Sequence, residues 1–395
     1  MTAPIVAVLG GSTPFTAAYV EAVRAAADAL PACELRLYGR NSEALQRMAS
    51  YSRARLSSWS WTVSTHVRLD EAVRGASIVV NQIRFGDLEG RAEDEAVAAR
   101  FGVPADETLG PCGLLAALRV APQLRSLGAE LGKHCPDAWV LNLSNPLSVA
   151  TAALLDGGAP PKTIGLCELP AATVQEACVV LGLEQQHVEW KYTGLNHRGF
   201  ITSLRYKREE LLPQLPELLR ERTIFGIGAT EVRQTGALAL KYFQLMTGRG
   251  TSPGRAEFLI GLREELSHEL EHPDAPPPSL SRRRLDWYEG AIVPLMRAVF
   301  SETPHVVVID SRDEDGLVRE HRARVSARGI TPLNDEAPAS IAPWLDAWSA
   351  HERAVLRAVR DPGAAQLREA LELDPTVPPS KVTEITRHIA AGGTP

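Results

Sequence analysis

The sequence predicts an α/β fold: a doubly wound, mostly parallel sheet in the N-terminal part, joined to a second, mixed α+β domain. Three observations predict it. Short apolar runs alternate with alanine-rich helical patterns through the first 170 residues, as β-α-β crossovers require. A pair of glycines joins the first apolar run to the first helical pattern. Beyond residue 170 the alternation stops and longer helical patterns take over. The domains are therefore placed at 1–170 and 171–395, with the last helices packing back on the first domain.

Residues 5–9 (IVAVL) are a continuous apolar run, which suits a strand buried on both faces. A helical pattern spans about 16–30, a strand 34–38 (ELRLY), a helix about 42–52 and a strand 61–67. Residues 76–82 (ASIVVNQ) and 138–143 (AWVLNL) read as further buried strands, the second closed by Ser144-Asn145-Pro146. A helix at 147–155 and a short strand at 163–166 lead to Cys167. Helices are then expected near 171–182, 208–222, 228–246 and 255–271, and the proline-rich 272–279 (HPDAPPPS) reads as a loop.

Composition narrows the function classes. A chain of 395 residues can bury two packed lobes. The net charge of -6 argues against a nucleic-acid partner, which needs a basic face. No run of about 18 uncharged apolar residues suggests a membrane span, and the start lacks the basic segment of a secretion signal, so a cytoplasmic protein is expected. Five scattered cysteines do not make a disulfide framework.

The turn Gly10-Gly11-Ser12-Thr13-Pro14 between a strand and a helix admits a pyrophosphate against backbone N–H groups; a plain tight turn is the alternative, since the full G-x-G-x-x-G is absent. Gly10, Gly11, Ser12 and Thr13 are the candidate cofactor residues. The acidic residue that usually takes ribose hydroxyls after the second strand is missing. Arg40 stands there instead, which keeps NADP open beside NAD unless it is only a solvated surface residue.

Three segments go further: Asn81-Gln82-Ile83-Arg84-Phe85-Gly86 with Arg91, Asp94, Glu95 and Glu107-Thr108-Leu109-Gly110-Pro111; Asn142-Leu143-Ser144-Asn145-Pro146; and Ile164-Gly165-Leu166-Cys167 with Gly194-Leu195-Asn196-His197. Cys167 and His197 each end a strand-like run, and a thiolate with an imidazole suits a divalent transition metal. Two ligands leave an open site that substrate oxygens and water would complete. Together, and with residues 324–333 (RVSARGITPL), these segments resemble glycoside hydrolase family 4, the NAD- and metal-dependent glycosidases such as 6-phospho-β-glucosidase. The resemblance runs from the glycine turn to about residue 378.

It implies a Rossmann domain of the lactate/malate dehydrogenase kind with an added α/β domain, NAD and Mn²⁺ as cofactors, a small-molecule glycoside as substrate, and a homodimer or homotetramer. It implies that Cys167 and His197 hold the metal. Asn145 would orient sugar hydroxyls, its alternative being an Asx turn capping the next helix. Arg84 and Arg91 would lie near the substrate and its anionic group, their alternative being salt bridges to Asp94 or Glu95; Arg283 is a further substrate candidate. The implied reaction oxidises sugar C3, removes the C2 proton and eliminates the glycosidic oxygen, outside the usual two-carboxylate scheme. Tyr242 falls where β-specific members carry the base, with Tyr288 in reserve; a core aromatic on an amphipathic helix is the alternative for Tyr242.

The chain departs from the family at several points. Ser12 replaces a third glycine, Asp106 a glutamine and Cys112 a glycine, and Arg284-Leu285 replace the two glycines after Arg283. Glu168 follows Cys167 where relatives have Asn or Asp; it is a candidate acid for the leaving group, or a charge that rejects a 6-phosphate, or a surface residue. These departures leave open the sugar, its phosphorylation, and two other readings: an NAD(P)-dependent sugar dehydrogenase or epimerase, and a degenerate cofactor-binding protein.

Overall fold

The computed structural model describes residues 3–249, 254–283, 285 and 287–392. The N-terminal part runs β1 (Ile5–Leu9), α1 (Thr16–Ala25), β2 (Glu34–Tyr38), α2 (Ser42–Leu56), β3 (Thr62–His66), α3 (Leu69–Val73), β4 (Ile78–Asn81), α4 (Asp87–Arg100), α5 (Gly110–His134), β5 (Trp139–Asn142), α6 (Leu147–Asp156) and β6 (Thr163–Gly165). These six strands are parallel, in the order β3-β2-β1-β4-β5-β6. The order reverses at β1 and β4, so a crevice opens at the C-terminal ends of those strands. Every residue of β4 and β5 is buried, which matches their unbroken apolar sequences.

After α7 (Leu169–Leu181) come β7 (Glu189–Leu195) and β8 (Arg198–Tyr206), an antiparallel hairpin. Short elements follow: β9 (Glu209–Glu210), α8 (Leu215–Leu218), α9 (Ala229–Thr235), β10 (Leu238–Ala239) and α10 (Phe243–Met246). Then come α11 (Arg255–Glu269), α12 (Val293–Val299), β11 (His305–Arg312), β12 (Val318–Ser326), β13 (Gly329–Pro332), α13 (Ala342–Arg360), α14 (Ala364–Leu373) and α15 (Pro379–Ala390). The second group of strands does not form a separate sheet. β11 pairs antiparallel with β6 through Asp310 and Gly165, and the order continues β11-β12-β7-β8-β10. One continuous sheet therefore holds the crevice and the β7–β8 hairpin in fixed relation. Helices α13 to α15 share a buried apolar cluster with α5 and the first strands.

Two expected helices are not there. The 208–222 stretch is interrupted by Pro213 and Pro216, each starting only one short turn. The 228–246 stretch breaks at Gly236, whose φ of 65° ends α9. Leu238–Ala239 then pairs with β8 as an edge strand, and Tyr242 lies in the turn ahead of α10 rather than inside a helix.

Candidate functional site

The glycine turn is held from behind. The backbone N–H groups of Gly10 and Gly11 both donate to the Tyr38 carbonyl, at 3.0 and 2.8 Å. Gly10 has φ 83° and lines the crevice. Gly11 does not face it: a side chain there would put Cβ 2.9 Å from the Val8 carbonyl oxygen and 3.1 Å from Leu37. Its lack of a side chain serves packing between β1 and β2, not direct contact with a ligand. Ser12, Thr13 and Arg40 line the crevice beside Gly10.

The crevice is a cleft of about 1140 Å³ that runs from this turn to Cys167, His197 and Tyr242. Cys167 follows β6, while His197 sits in the two-residue turn between β7 and β8. His197 has φ 65°, a left-handed conformation that costs a non-glycine residue roughly 1–3 kcal/mol and that the hairpin on either side enforces. Thr108 Oγ1 lies 2.9 Å from His197 Nδ1, so Nε2 is the nitrogen left for a ligand. Burial, aided by Lys241, pushes the imidazole down to about 3, so it is neutral and able to ligate at any physiological pH. Burial and then Glu168 push the Cys167 thiol well above its ordinary range, and a divalent ion bound there would displace its proton. Among the described residues no group of three or more His, Cys, Asp or Glu side chains could hold a metal, so any ion here would depend on non-protein ligands as well.

The Tyr242 ring stacks on His197, with centroids 4.2 Å apart and planes 4° from parallel. Because Tyr242 is not in a helix, Lys241 can reach its face, with Nζ 5.2 Å from the ring centroid. Burial, then the charges of Asp106 and Glu107, push its hydroxyl well above 10. Tyr288 also lines the cleft, but its hydroxyl donates to Gln82 Oε1 at 2.5 Å and burial raises it to about 12. Glu168 lines the cleft beside Cys167, whose thiol points to its Oε2 at 3.8 Å.

The opposite wall is organised by Glu107, a residue the quoted motif contains but whose role sequence reasoning did not assign. Its carboxylate accepts from Asn145 Nδ2 at 2.9 Å, Arg84 at 3.2 Å and Arg91 at 2.8 Å. Burial alone would raise its pKa; Arg91 and Arg84 outweigh that and hold it well below the usual carboxylate range. Arg91 also bonds Glu95 at 2.7 Å, whereas Asp94 is taken by Arg119. Arg84 therefore pairs with neither of the two carboxylates considered from sequence. Asn145 does not cap the next helix; its amide faces Glu107.

Arg283 is packed between the rings of Phe15 and Trp287, at 4.5 and 5.1 Å, and burial lowers it to about 10. Its neighbour Arg284 lies outside the described residues. In all, nine Arg or Lys side chains line the cleft against three carboxylates, Asp87, Glu107 and Glu168, among the described residues. That surplus, on a chain of net charge -6, concentrates positive potential where an anionic ligand would sit.

Residues 4–183 match the model of the family 4 glycosyl hydrolases, and residues 192–377 match that of their C-terminal domain. The chain belongs to glycoside hydrolase family 4. Within the family it is 26% identical over 320 residues to a probable 6-phospho-beta-glucosidase of Bacillus subtilis, covering 74% of this chain and 72% of that one. The fold matches a 6-phospho-beta glucosidase from Thermotoga maritima whose structure holds manganese, NAD⁺ and glucose-6-phosphate. The TM-score is 0.87, at 22% identity over 98% of each chain. A malate dehydrogenase from Plasmodium falciparum shares the sheet more distantly, at a TM-score of 0.55 and 12% identity over 91% of this chain and 99% of that one. The expected Rossmann architecture of the malate dehydrogenase kind, with its added mixed domain, is thus the observed one.

Proposed function

We propose that this family 4 member cleaves an anionic sugar glycoside, a 6-phosphoglycoside being the first choice, with a nicotinamide dinucleotide along the glycine turn and a divalent ion, Mn²⁺ first, between Cys167 and His197. One observation carries the reading: a single cleft joins the glycine turn, the Cys167–His197 pair and Tyr242, under a wall of arginines. The residues fit both groups. Gly10, with φ 83° and a Cβ position only 3.2 Å from the Gln82 backbone, has no room for a side chain and meets the cleft with its backbone, and a neutral imidazole whose Nε2 is not engaged by Thr108 lines the same cleft as the Cys167 thiol. When bound, the dinucleotide takes and returns a hydride and the ion polarises neighbouring sugar oxygens, which acidifies the C–H next to them.

The chain's own groups do the rest. Tyr242 takes the proton from sugar C2. Its hydroxyl is a poor base while the cleft is empty, because burial and two carboxylates hold the proton on it. Cations brought in with the ligands oppose that effect, and Lys241 is already stacked against the ring. Glu168 donates a proton to the departing glycosidic oxygen. Asn145, oriented by Glu107, hydrogen-bonds the sugar hydroxyls, and Arg84, Arg91 and Arg283 hold the anionic substituent. Phosphate rather than a neutral sugar is favoured by the excess of cations, which would be costly to leave unpaired in a filled cleft.

The experiment is Tyr242→Phe, assayed on aryl 6-phosphoglycosides and their unphosphorylated counterparts with dinucleotide and Mn²⁺. Turnover is expected to fall by roughly three orders of magnitude, with dinucleotide affinity within about twofold of wild type. Turnover near the wild-type value would remove Tyr242 as the base.

A further inference from the structure

We propose that the dinucleotide corner of this cleft is built for a 2′-phosphate, with Arg40 as the residue that pairs with it, so that NADP rather than NAD is the preferred cofactor. The inference deepens the reading of the cleft as a dinucleotide site and rests on it.

Four observations meet at the end of β2. The Tyr38 carbonyl takes the N–H groups of both Gly10 and Gly11, so the residues after β2 are fixed against the glycine turn. The next position, Gly39, has no room for the carboxylate that would accept from a ribose diol: a Cβ there would stand 2.5 Å from Ser12 Oγ. Ser12 therefore fills the place where an acidic side chain would have to start. Arg40 comes next, exposed and lining the cleft beside Ser12 and Thr13.

Arg40 is also uncommitted where its neighbours are not. Arg36, on the same strand, is tied to Glu34 at 2.8 Å and to the carbonyls of Glu71 and Arg74. Among the described residues no ion pair engages Arg40. Glu43, the next acidic residue along the chain, is paired across one helical turn with Arg47. The three carboxylates of the cleft lie elsewhere: Asp87 on Arg263, Glu107 on Arg84 and Arg91, and Glu168 at the end of β6. β6 is four strand spacings from β2, about 19 Å across the sheet. The corner thus offers a guanidinium and hydroxyls but no carboxylate to accept from a ribose diol. A 2′-phosphate gains a charge-assisted pair there, while an unphosphorylated ribose loses its usual partner.

The test is calorimetric titration of the full chain, without metal or sugar, with NADP⁺ and NAD⁺, and with adenosine 2′,5′-bisphosphate and AMP as probes of the corner alone. NADP⁺ is expected to bind roughly tenfold or more tightly than NAD⁺, and the bisphosphate more tightly than AMP. Arg40→Ala should bring both ratios to within about twofold of one by weakening the phosphorylated ligand only, and Arg40→Asp should favour NAD⁺. The NADP⁺/NAD⁺ ratio should also shrink between about 50 and about 500 mM KCl, because the pair is exposed to solvent. Equal or tighter binding of NAD⁺ by the wild type overturns the proposal, as does an Arg40→Ala variant that weakens both cofactors alike. If neither dinucleotide binds, the underlying reading of the cleft fails too, a result distinct from NAD⁺ binding well.

Discussion

Asp106 carries a penalty that can be measured. Its Oδ1 accepts from the Thr108 and Leu109 N–H groups at 2.8 and 3.2 Å, shaping the loop that presents Glu107 to the cleft and Thr108 to His197. Burial raises its pKa from 3.8 to about 6; the Thr108 N–H lowers it in part and the Glu107 charge adds to the rise. The folded protein therefore binds this proton more tightly than the unfolded chain. The resulting destabilisation is absent well below pH 3.8, grows between pH 3.8 and about 6, and is complete above that. Fully ionised, it costs about 3 kcal/mol at pH 8, against about 1.5 kcal/mol at pH 5. Asp106→Asn keeps an acceptor for both N–H groups and carries no charge. Its new amide NH2 does not titrate and needs an acceptor of its own, a cost of about 1–3 kcal/mol that is the same at both pH values. The informative quantity is thus the change with pH. Relative to wild type, the variant should gain about 1.5 kcal/mol between pH 5 and pH 8, read from urea unfolding at each pH. A difference that stays flat or falls would refute the reasoning. Asp106 is also the strongest charge holding the proton on Tyr242, so the same substitution should move the ascending limb of the activity profile, where Tyr242 ionises, to lower pH.

Two further perturbations probe the walls of the cleft. Glu107→Gln strips Arg84 and Arg91 of their shared charge while Arg91 keeps Glu95, so stability should fall by about 3 kcal/mol, with weaker binding of the glycoside as well. For a chain of this length that is a melting shift of about 4 °C, and an unchanged melt would contradict the role given to Glu107. Gly11→Ala forces a Cβ against the Val8 carbonyl and Leu37, so it should cost about 1–3 kcal/mol and weaken dinucleotide binding through the displaced turn; unaltered melting and affinity would show that β1 and β2 have slack there.

The parallel half of the fold was legible because its strands are short, apolar and separated by turn residues: IVAVL, IVVN and WVLN are buried along almost their whole length. The second half was harder. Residues 236–243 (GALALKYF) have helical composition, yet Leu238–Ala239 pairs with β8 and Gly236 ends the preceding helix; an available sheet edge overrode local propensity. Pro213 and Pro216 were the signal against a long helix at 208–222. At the site, the motifs pointed to Cys167, His197, Asn145 and Arg84, all of which line the cleft. The partners that orient them were not visible, because Glu107 meets Asn145 across 38 residues and Thr108 meets His197 across 89. The basic wall was hidden in a net charge of -6, since Arg255, Arg263 and Arg283 come from segments far from Arg84 in sequence.

The most direct test of the account is turnover of an aryl 6-phosphoglycoside in D₂O, with dinucleotide and Mn²⁺, followed by mass and proton spectra of the released sugar and by absorbance of the reduced cofactor. The released sugar is expected to carry deuterium at C2, with no net build-up of reduced cofactor. Released sugar that retains its C2 proton would contradict it, and so would reduced cofactor accumulating in step with product.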